Sequence, residues 1–145
     1  YEAAQTAYEE LYKEMHWNFR YLFEYGHTLS KQKQYSEAIF ILQKAENESN
    51  DPMILNIMGK DFQDMKLYDK AEEFFKRSIN RLPSRIYPYY LLAKLYLEPD
   101  YYHPEKFKRT AETVLNKQPK VPSPAVEEMK KEIKKLLESE KDTGT

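Results

Sequence analysis

Along "VPSPAVEEMKKEIKKLLESEK", near the end of the chain, Val126, Met129, Ile133 and Leu137 recur at intervals of three and four residues between charged positions. That spacing places them on one side of a helix, with lysines and glutamates covering the rest. The segment carries its own start signal. Ser123 suits the N-cap, Pro124 the first helical position, and Glu127 and Glu128 the positive end of the helix dipole. Patterns of the same period, separated by short polar turns and prolines, predict helices near 2–15, 18–32, 35–48, 52–65, 68–81, 86–97, 104–117 and 124–140. With only three glycines in the chain, an all-α fold is expected.

The helices repeat. When "YLFEYGHTLSKQKQYSEAIFILQKA" is laid over "ILNIMGKDFQDMKLYDKAEEFFKRS" at an offset of 33, Gly26 falls on Gly59, Tyr35 on Tyr68, Ala38 on Ala71, Leu42 on Phe75 and Ala45 on Ser78. The matches have a packing logic. Gly26 and Gly59 are small sites where two helices cross closely, Ala38 and Ala71 are small sites on the partner helix, and Leu42 and Phe75 fill the space beside them. Tyr35 and Tyr68 open the second helix after "KQKQY" and "DMKLY". Upstream, Ala4, Tyr8 and Leu11 stand 34 residues before Ala38, Leu42 and Ala45, so the chain reads as starting in the second helix of a truncated repeat. Downstream, Leu92, Ala93 and Tyr96 follow Met58, Gly59 and Phe62 by 34, whereas Pro119 follows Pro83 by 36. Two extra residues in "EPDYYHP" account for the difference and put Phe107 in the Ala71 slot and Ala111 in the Phe75 slot.

These residues resemble the tetratricopeptide repeat (TPR), a helix–turn–helix unit of about 34 residues. "MGKDFQDMKLYDKAEEFFKRSINRLP" carries the small residue, the aromatics, the alanine and the closing proline; Leu22, Leu55 and Tyr89 stand where the family's first helix has tryptophan. The resemblance covers residues 1–119 and implies an all-α, right-handed superhelix closed by a C-terminal capping helix. The expected organisation is the second helix of a truncated repeat at 1–16, repeats at 17–51 and 52–85, an irregular repeat at 86–119, the capping helix at 120–141 and a frayed tail at 142–145. Tyr1 sits inside a helical pattern without an initiator methionine, which reads as a segment of a longer protein.

Composition removes several function classes. A net charge of −1 provides no electrostatic footprint for nucleic acid. No apolar run approaches the length of a bilayer span, so no direct membrane insertion is expected. Cysteine is absent. The glycines form no GxG phosphate loop, and His16, His27 and His103 are scattered, with neither i,i+4 pairing nor an HExxH motif. Adjacent acids such as Glu72–Glu73 and Glu127–Glu128 point in different directions on a helix and cannot face one another as a dyad. Ser49, Ser78, Ser84 and Ser123 lack a nucleophile-elbow context. The chain reads as non-catalytic, with no cofactor or metal.

Binding is the remaining class. In a TPR array the first helices of successive repeats line a concave groove. The repeat register assigns to that groove Arg20, Phe23, Glu24 and His27, then Asn56, Lys60 and Gln63, then Tyr87, Tyr90 and Lys94. It divides the tyrosine-rich stretch "RIYPYYLLAKLY": Tyr89, Leu92, Ala93 and Tyr96 face the core, while Tyr87 and Tyr90 offer large area and a hydroxyl to a partner. The mixed lining suits a protein or an extended peptide. The family's carboxylate clamp, built of lysine, asparagine and arginine, has Phe23, His27, Ile57, Tyr87 and Leu91 at its positions, so that ligand is not expected.

A narrower resemblance concerns the parent protein. "RIYPYYLLAKLY" followed by "KVPSPAVEEMKKEI" is similar to the C-terminal TPR tail of O-antigen ligase/polymerase-type membrane proteins of Bacteroidetes. It implies a soluble domain tethered to the bacterial inner membrane through a preceding part that would hold the transferase chemistry. Two alternatives stand beside it: an adaptor domain of an unrelated soluble TPR protein, and a purely structural or oligomerisation element.

Overall fold

The computed structural model describes residues 2–15 and 18–143; His16 lies outside them, as do Gly144 and Thr145 of the expected tail. The described residues form α1 (Glu2–Met15), α2 (Phe19–Lys31), α3 (Tyr35–Glu48), α4 (Pro52–Asp64), α5 (Tyr68–Arg81), α6 (Tyr87–Leu95), α7 (Pro104–Asn116) and α8 (Pro124–Thr143), with a 3-10 turn at Pro99–Tyr101 and no strand. The chain divides into two compact units, Tyr1–Arg77 and Ser78–Thr145, and the division falls inside α5.

Local chemistry sets the helix ends. Asn18 accepts the Tyr21 N–H at 3.0 Å and Asp51 accepts that of Met53 at 3.0 Å, so both helices begin with one orphan donor satisfied. Ser123 accepts from the Val126 N–H at a long 3.5 Å, and Pro124 opens α8 as the sequence suggests. α8 runs on through Thr143, past the expected end at residue 141.

The turns after α2 and α4 share one device. Lys33 and Lys66 both adopt φ of 64°, in the left-handed region. In each turn the next residue's N–H reaches five residues back, Gln34 to Leu29 at 3.0 Å and Leu67 to Phe62 at 2.9 Å. The lysine N–H itself reaches three back, to Ser30 at 3.0 Å and Gln63 at 2.9 Å. This is the Schellman closure, which usually employs glycine. Lys66→Gly is therefore expected to raise the urea midpoint, by about 0.5–1 kcal/mol of stability, because it removes the Cβ penalty of the left-handed conformation. A lower midpoint would overturn this account of the turn.

In the first unit, Leu22, Leu29, Ala38, Leu42, Ala45, Ile54, Leu55 and Met58 are fully buried, and Ala71 and Phe75 of α5 are equally enclosed. The small-against-large pairing expected from the repeat holds at both crossings. A Cβ placed on Gly26 would lie 2.5 Å from Leu42 Cγ, and one on Gly59 2.5 Å from Phe75 Cε1. α1 differs from the register. Ala4 and Leu11 are exposed, and α1 fully buries none of its residues, because those slots have no helix packed against them among the described residues. Tyr8, Tyr12 and Met15 instead pack on the outside of the core, with Tyr8 stacked on Tyr25 at 5.5 Å and edge-on to Tyr21 at 5.8 Å.

In the second unit, α6 packs on α7, and α8 packs on both. Ile86, Leu92, Ala93, Leu95, Tyr96, Phe107, Ala111, Val114 and Ile133 form its interior. The lengthened "EPDYYHP" connection winds as a 3-10 turn that folds back onto α6. The His103 N–H donates to the Tyr96 carbonyl at 2.9 Å, and the His103 ring lies edge-on to Tyr101 at 4.6 Å. His103 is thus a packed turn residue. Lys130 of α8 donates to the Leu115 and Lys117 carbonyls at the end of α7, where a cation complements the helix dipole.

Candidate functional site

Within the first unit, α2, which carries Arg20, Phe23, Glu24 and His27, is in contact with α4, which carries Asn56, Lys60 and Gln63. Arg20 is exposed and pairs with Glu24 one turn on, at 3.3 Å. Phe23 is half-buried between Phe19 and His27, with ring centroids 6.0 Å away on each side. His27 and Lys60 line a common cavity of about 230 Å³ together with Ser30, Lys31, Asp61 and Asp64. Gln63 is half-buried. Asn56 departs from the expectation of an exposed groove residue: it is 4% exposed, and its Oδ1 has no hydrogen-bond partner among the described residues.

The sequence reading did not single out Asp61. It is 3% exposed and accepts a hydrogen bond from the Ser30 hydroxyl at 2.7 Å. Burial pushes its carboxyl up to about 7, against the lowering effect of that hydrogen bond; Asp64 adds to the rise and Lys60 opposes it. His27 is held below its ordinary value, first by burial and then by the nearby Lys31 and Lys60 ammonium groups, so it is neutral near pH 7. Tyr35, at the start of α3, is pushed up by burial and by its neighbours Asp64 and Asp61. The cavity therefore sets Lys31, Lys60 and Asp64 around a neutral imidazole, with the buried Asp61 carboxyl half-protonated near pH 7. A signal for Asp61 was present in the sequence: it follows Ile54 and Met58 at the i+7 and i+3 positions of the buried stripe.

In the second unit, Tyr87, Tyr90 and Lys94 cluster on α6. The Tyr87 and Tyr90 rings stack with centroids 6.2 Å apart, and the Lys94 ammonium lies 5.0 Å from the Tyr90 centroid. Tyr90 and Lys94 are engaged by α8. The Tyr90 hydroxyl donates to Glu132 at 2.7 Å, and Lys94 pairs with Glu132 at 2.8 Å. Glu132 is lowered by Lys94 first and Tyr90 second, as an ion pair requires, although Lys94 is 43% exposed and the pair is partly screened. Tyr96 is 2% exposed, as expected for a core position, while Tyr89 is half-buried with the Lys117 ammonium 4.9 Å from its ring centroid. Leu91 and Leu95, not named as core from the sequence, are buried too.

Paired helices with small residues at their crossings, joined by short turns of repeated geometry, define a TPR-type helical repeat protein. Residues 1–78 match the family described as anaphase-promoting complex, cyclosome, subunit 3, and the chain belongs to that family. No curated protein matches the sequence. Among solved structures it is similar to MamA from Desulfovibrio magneticus RS-1, with a TM-score of 0.67 and 21% identity over 77% of this chain and 65% of that one. It is similar to PcrH in complex with the chaperone binding region of PopD, with a TM-score of 0.71 and 15% identity over 86% of this chain and 91% of that one. It is also similar to the Sgt2 TPR domain from Aspergillus fumigatus, with a TM-score of 0.66 and 18% identity over 86% and 82% of the two chains. The chain spans just under two thirds of the MamA structure, and identities this low show the all-α TPR fold alone.

Proposed function

We propose that the protein is a non-catalytic interaction module that holds an extended peptide of a partner protein against the α2–α4 face. The observation that carries this reading is the cavity shared by His27 and Lys60, where Lys31 and Lys60 stand beside Asp61 and Asp64. An extended peptide presents alternating carbonyl acceptors and N–H donors, and a wall of mixed charge can satisfy both. The likeness to PcrH, which is in complex with a region of PopD, supports a peptide-binding use of this fold. Arg20, Phe23, Glu24 and Gln63 extend the proposed surface. Tyr87, Tyr90 and Lys94 are proposed as a separate contact set, which a ligand could engage fully only by exchanging the Glu132 bonds. The division into a truncated repeat at 1–16, repeats at 17–51, 52–85 and 86–119, and a cap at 120–141 is the frame of this proposal.

The test begins with peptides selected against the whole chain from a random library. Their affinity for Lys60→Ala and His27→Ala variants is expected to fall about tenfold, with amide shifts concentrated on α2 and α4. Selected peptides that bind both variants like the wild type, and leave those amides unmoved, would overturn the proposal.

A narrower proposal concerns the parent: a soluble tail of an O-antigen ligase/polymerase-type membrane protein. It rests on "RIYPYYLLAKLY" and "KVPSPAVEEMKKEI". Among the described residues no helix is long and apolar enough to cross a membrane. An antibody to this chain should then detect, in native cells, a larger protein that leaves the membrane fraction only with detergent; a soluble band would sink that parentage.

A further inference from the structure

A second cavity lies in the first unit, away from the His27–Lys60 cavity, between α1 and α3. Its volume is about 480 Å³, within the range of pockets that hold ligands. Tyr25, Leu29 and Ile41, all nearly inaccessible, form its floor, and Tyr12 and Phe40 form its walls. Phe40 is 62% exposed, an unusual setting for a phenylalanine. Gln5 of α1 and Gln34 before α3 exchange reciprocal hydrogen bonds of 3.0 and 3.1 Å, which fix the spacing of the two helices one turn from the opening.

The two charged residues that line this cavity are both acidic, while Lys44 stands at its edge over the Phe40 ring. Its ionisable carboxylates are Glu9 and Glu37, one from each flanking helix. Both face Tyr25, whose hydroxyl is pushed up first by burial and then by these two groups. α1 carries Glu2, Glu9, Glu10 and Glu14 against Lys13. On α3, Glu46 is buried and paired with Arg77 at 2.8 Å, which leaves Glu37 and Glu48 against Lys44, whose ammonium lies 4.9 Å from the Phe40 centroid. The chain as a whole is close to neutral, and at the cavity itself the acidity rests on Glu9 and Glu37.

We infer that the α1–α3 cavity is a docking site for an amphipathic helix of a partner protein, which inserts a large apolar side chain between Tyr12 and Phe40 and brings lysines or arginines to Glu9 and Glu37. The apolar floor supplies affinity, and the paired carboxylates select basic flanks over acidic ones. Because Tyr25 keeps its proton, the floor adds no negative charge of its own.

The test uses the whole chain and three labelled synthetic peptides: an amphipathic helix with a leucine and phenylalanine stripe flanked by lysines, its twin flanked by glutamates, and its twin with the stripe replaced by alanine. At about 0.15 M salt, anisotropy titrations are expected to show the lysine-flanked peptide binding at least about tenfold more tightly than either twin. Phe40→Ala, at a site 62% exposed, and Glu9→Gln/Glu37→Gln should each remove most of that difference, with far-ultraviolet circular dichroism checking that each variant stays folded. Amide shifts should map to Tyr12, Phe40 and Ile41. Equal binding of the glutamate-flanked twin, no effect of Phe40→Ala, or shifts confined to α2 and α4 would overturn the proposal. So would self-association that Phe40→Ala abolishes, which would assign the cavity to a second copy of the chain.

Discussion

Gly59→Leu is expected to cost the first unit at least about 3 kcal/mol and to leave it largely unfolded at moderate temperature. A Cβ at residue 59 would sit 2.5 Å from Phe75 Cε1, 2.7 Å from Cδ1 and 3.1 Å from Cζ, before the rest of the leucine is placed. Phe75 has nowhere to retreat, since it is itself fully buried beside the equally buried Ala71. The clash must therefore separate α4 from α5 or force Phe75 out of its rotamer. Thermal unfolding followed by circular dichroism checks this, and a melt superimposable on wild type would mean that the crossing is not a tight one. Specificity can be tested in the same background. Gly59→Ala and Phe75→Ala should each destabilise, and the double variant should lose less than the sum of the two, a coupling that unrelated damage would not show. The repeat register suggests that the third hairpin adopts that solution, with Ala93 and Ala111 in the two slots, both fully buried.

The glycine crossings were legible because packing leaves a compositional mark: a small residue recurring at a fixed interval opposite a large one. Helix spans were legible for the same kind of reason. The sequence pattern expected helices over 35–48 and 68–81, and α3 and α5 run over those residues. Features made by a single residue against its prevailing propensity were not legible. Lysine in the left-handed conformation at residues 33 and 66 has no signature, since lysine is common at helix ends for other reasons. α6 ends at Leu95, short of the expected 97, because the chain tightens through i→i+3 bonds from Leu97 to Lys94 and from Glu98 to Leu95 into the 3-10 turn.

Contacts between distant residues were equally hidden. The register offers Tyr90 to a partner, and the Glu132 that engages it lies 42 positions away with no motif to link them. The register aligns Tyr8 and Leu11 with the fully buried Leu42 and Ala45, yet Tyr8 is only half-buried against Tyr21 and Tyr25, Leu11 stays 46% exposed, and α1 shares an open cavity with α3. Asn56 and Asp61 show the opposite failure. Both are polar residues in a stretch that looks amphipathic, yet both are buried on α4, which packs against α3 as well as α2 and so encloses more of itself than one apolar stripe would require.

Asp61→Asn is expected to change the pH dependence of stability more than any other single substitution in the first unit. In the unfolded chain this carboxyl titrates near 3.8; in the folded protein burial raises it to about 7. Below about pH 4 both states hold the proton and the group contributes no pH dependence. Between about 4 and 7 the folded state keeps a proton that the unfolded state has lost, so stability falls as pH rises, and above about 7 the full loss remains. His27 works in the opposite sense. Its folded value lies below the ordinary 6.5, so its contribution is present above that pH and is lost as pH falls through the folded value. A bare pH–stability profile would mix the two, and the difference between wild type and Asp61→Asn isolates the carboxyl. Asparagine retains an oxygen to accept the Ser30 hydroxyl, 2.7 Å away in wild type, and carries no charge to desolvate among Lys31, Lys60 and Asp64. The variant's advantage in urea unfolding should therefore grow from little near pH 4 to about 2–4 kcal/mol near pH 8. A difference that stays flat across that range would mean that the carboxylate is solvated in the folded protein. The cavity beside His27 and Lys60 would then be wetter than the structure shows, and less able to strengthen hydrogen bonds to a bound peptide.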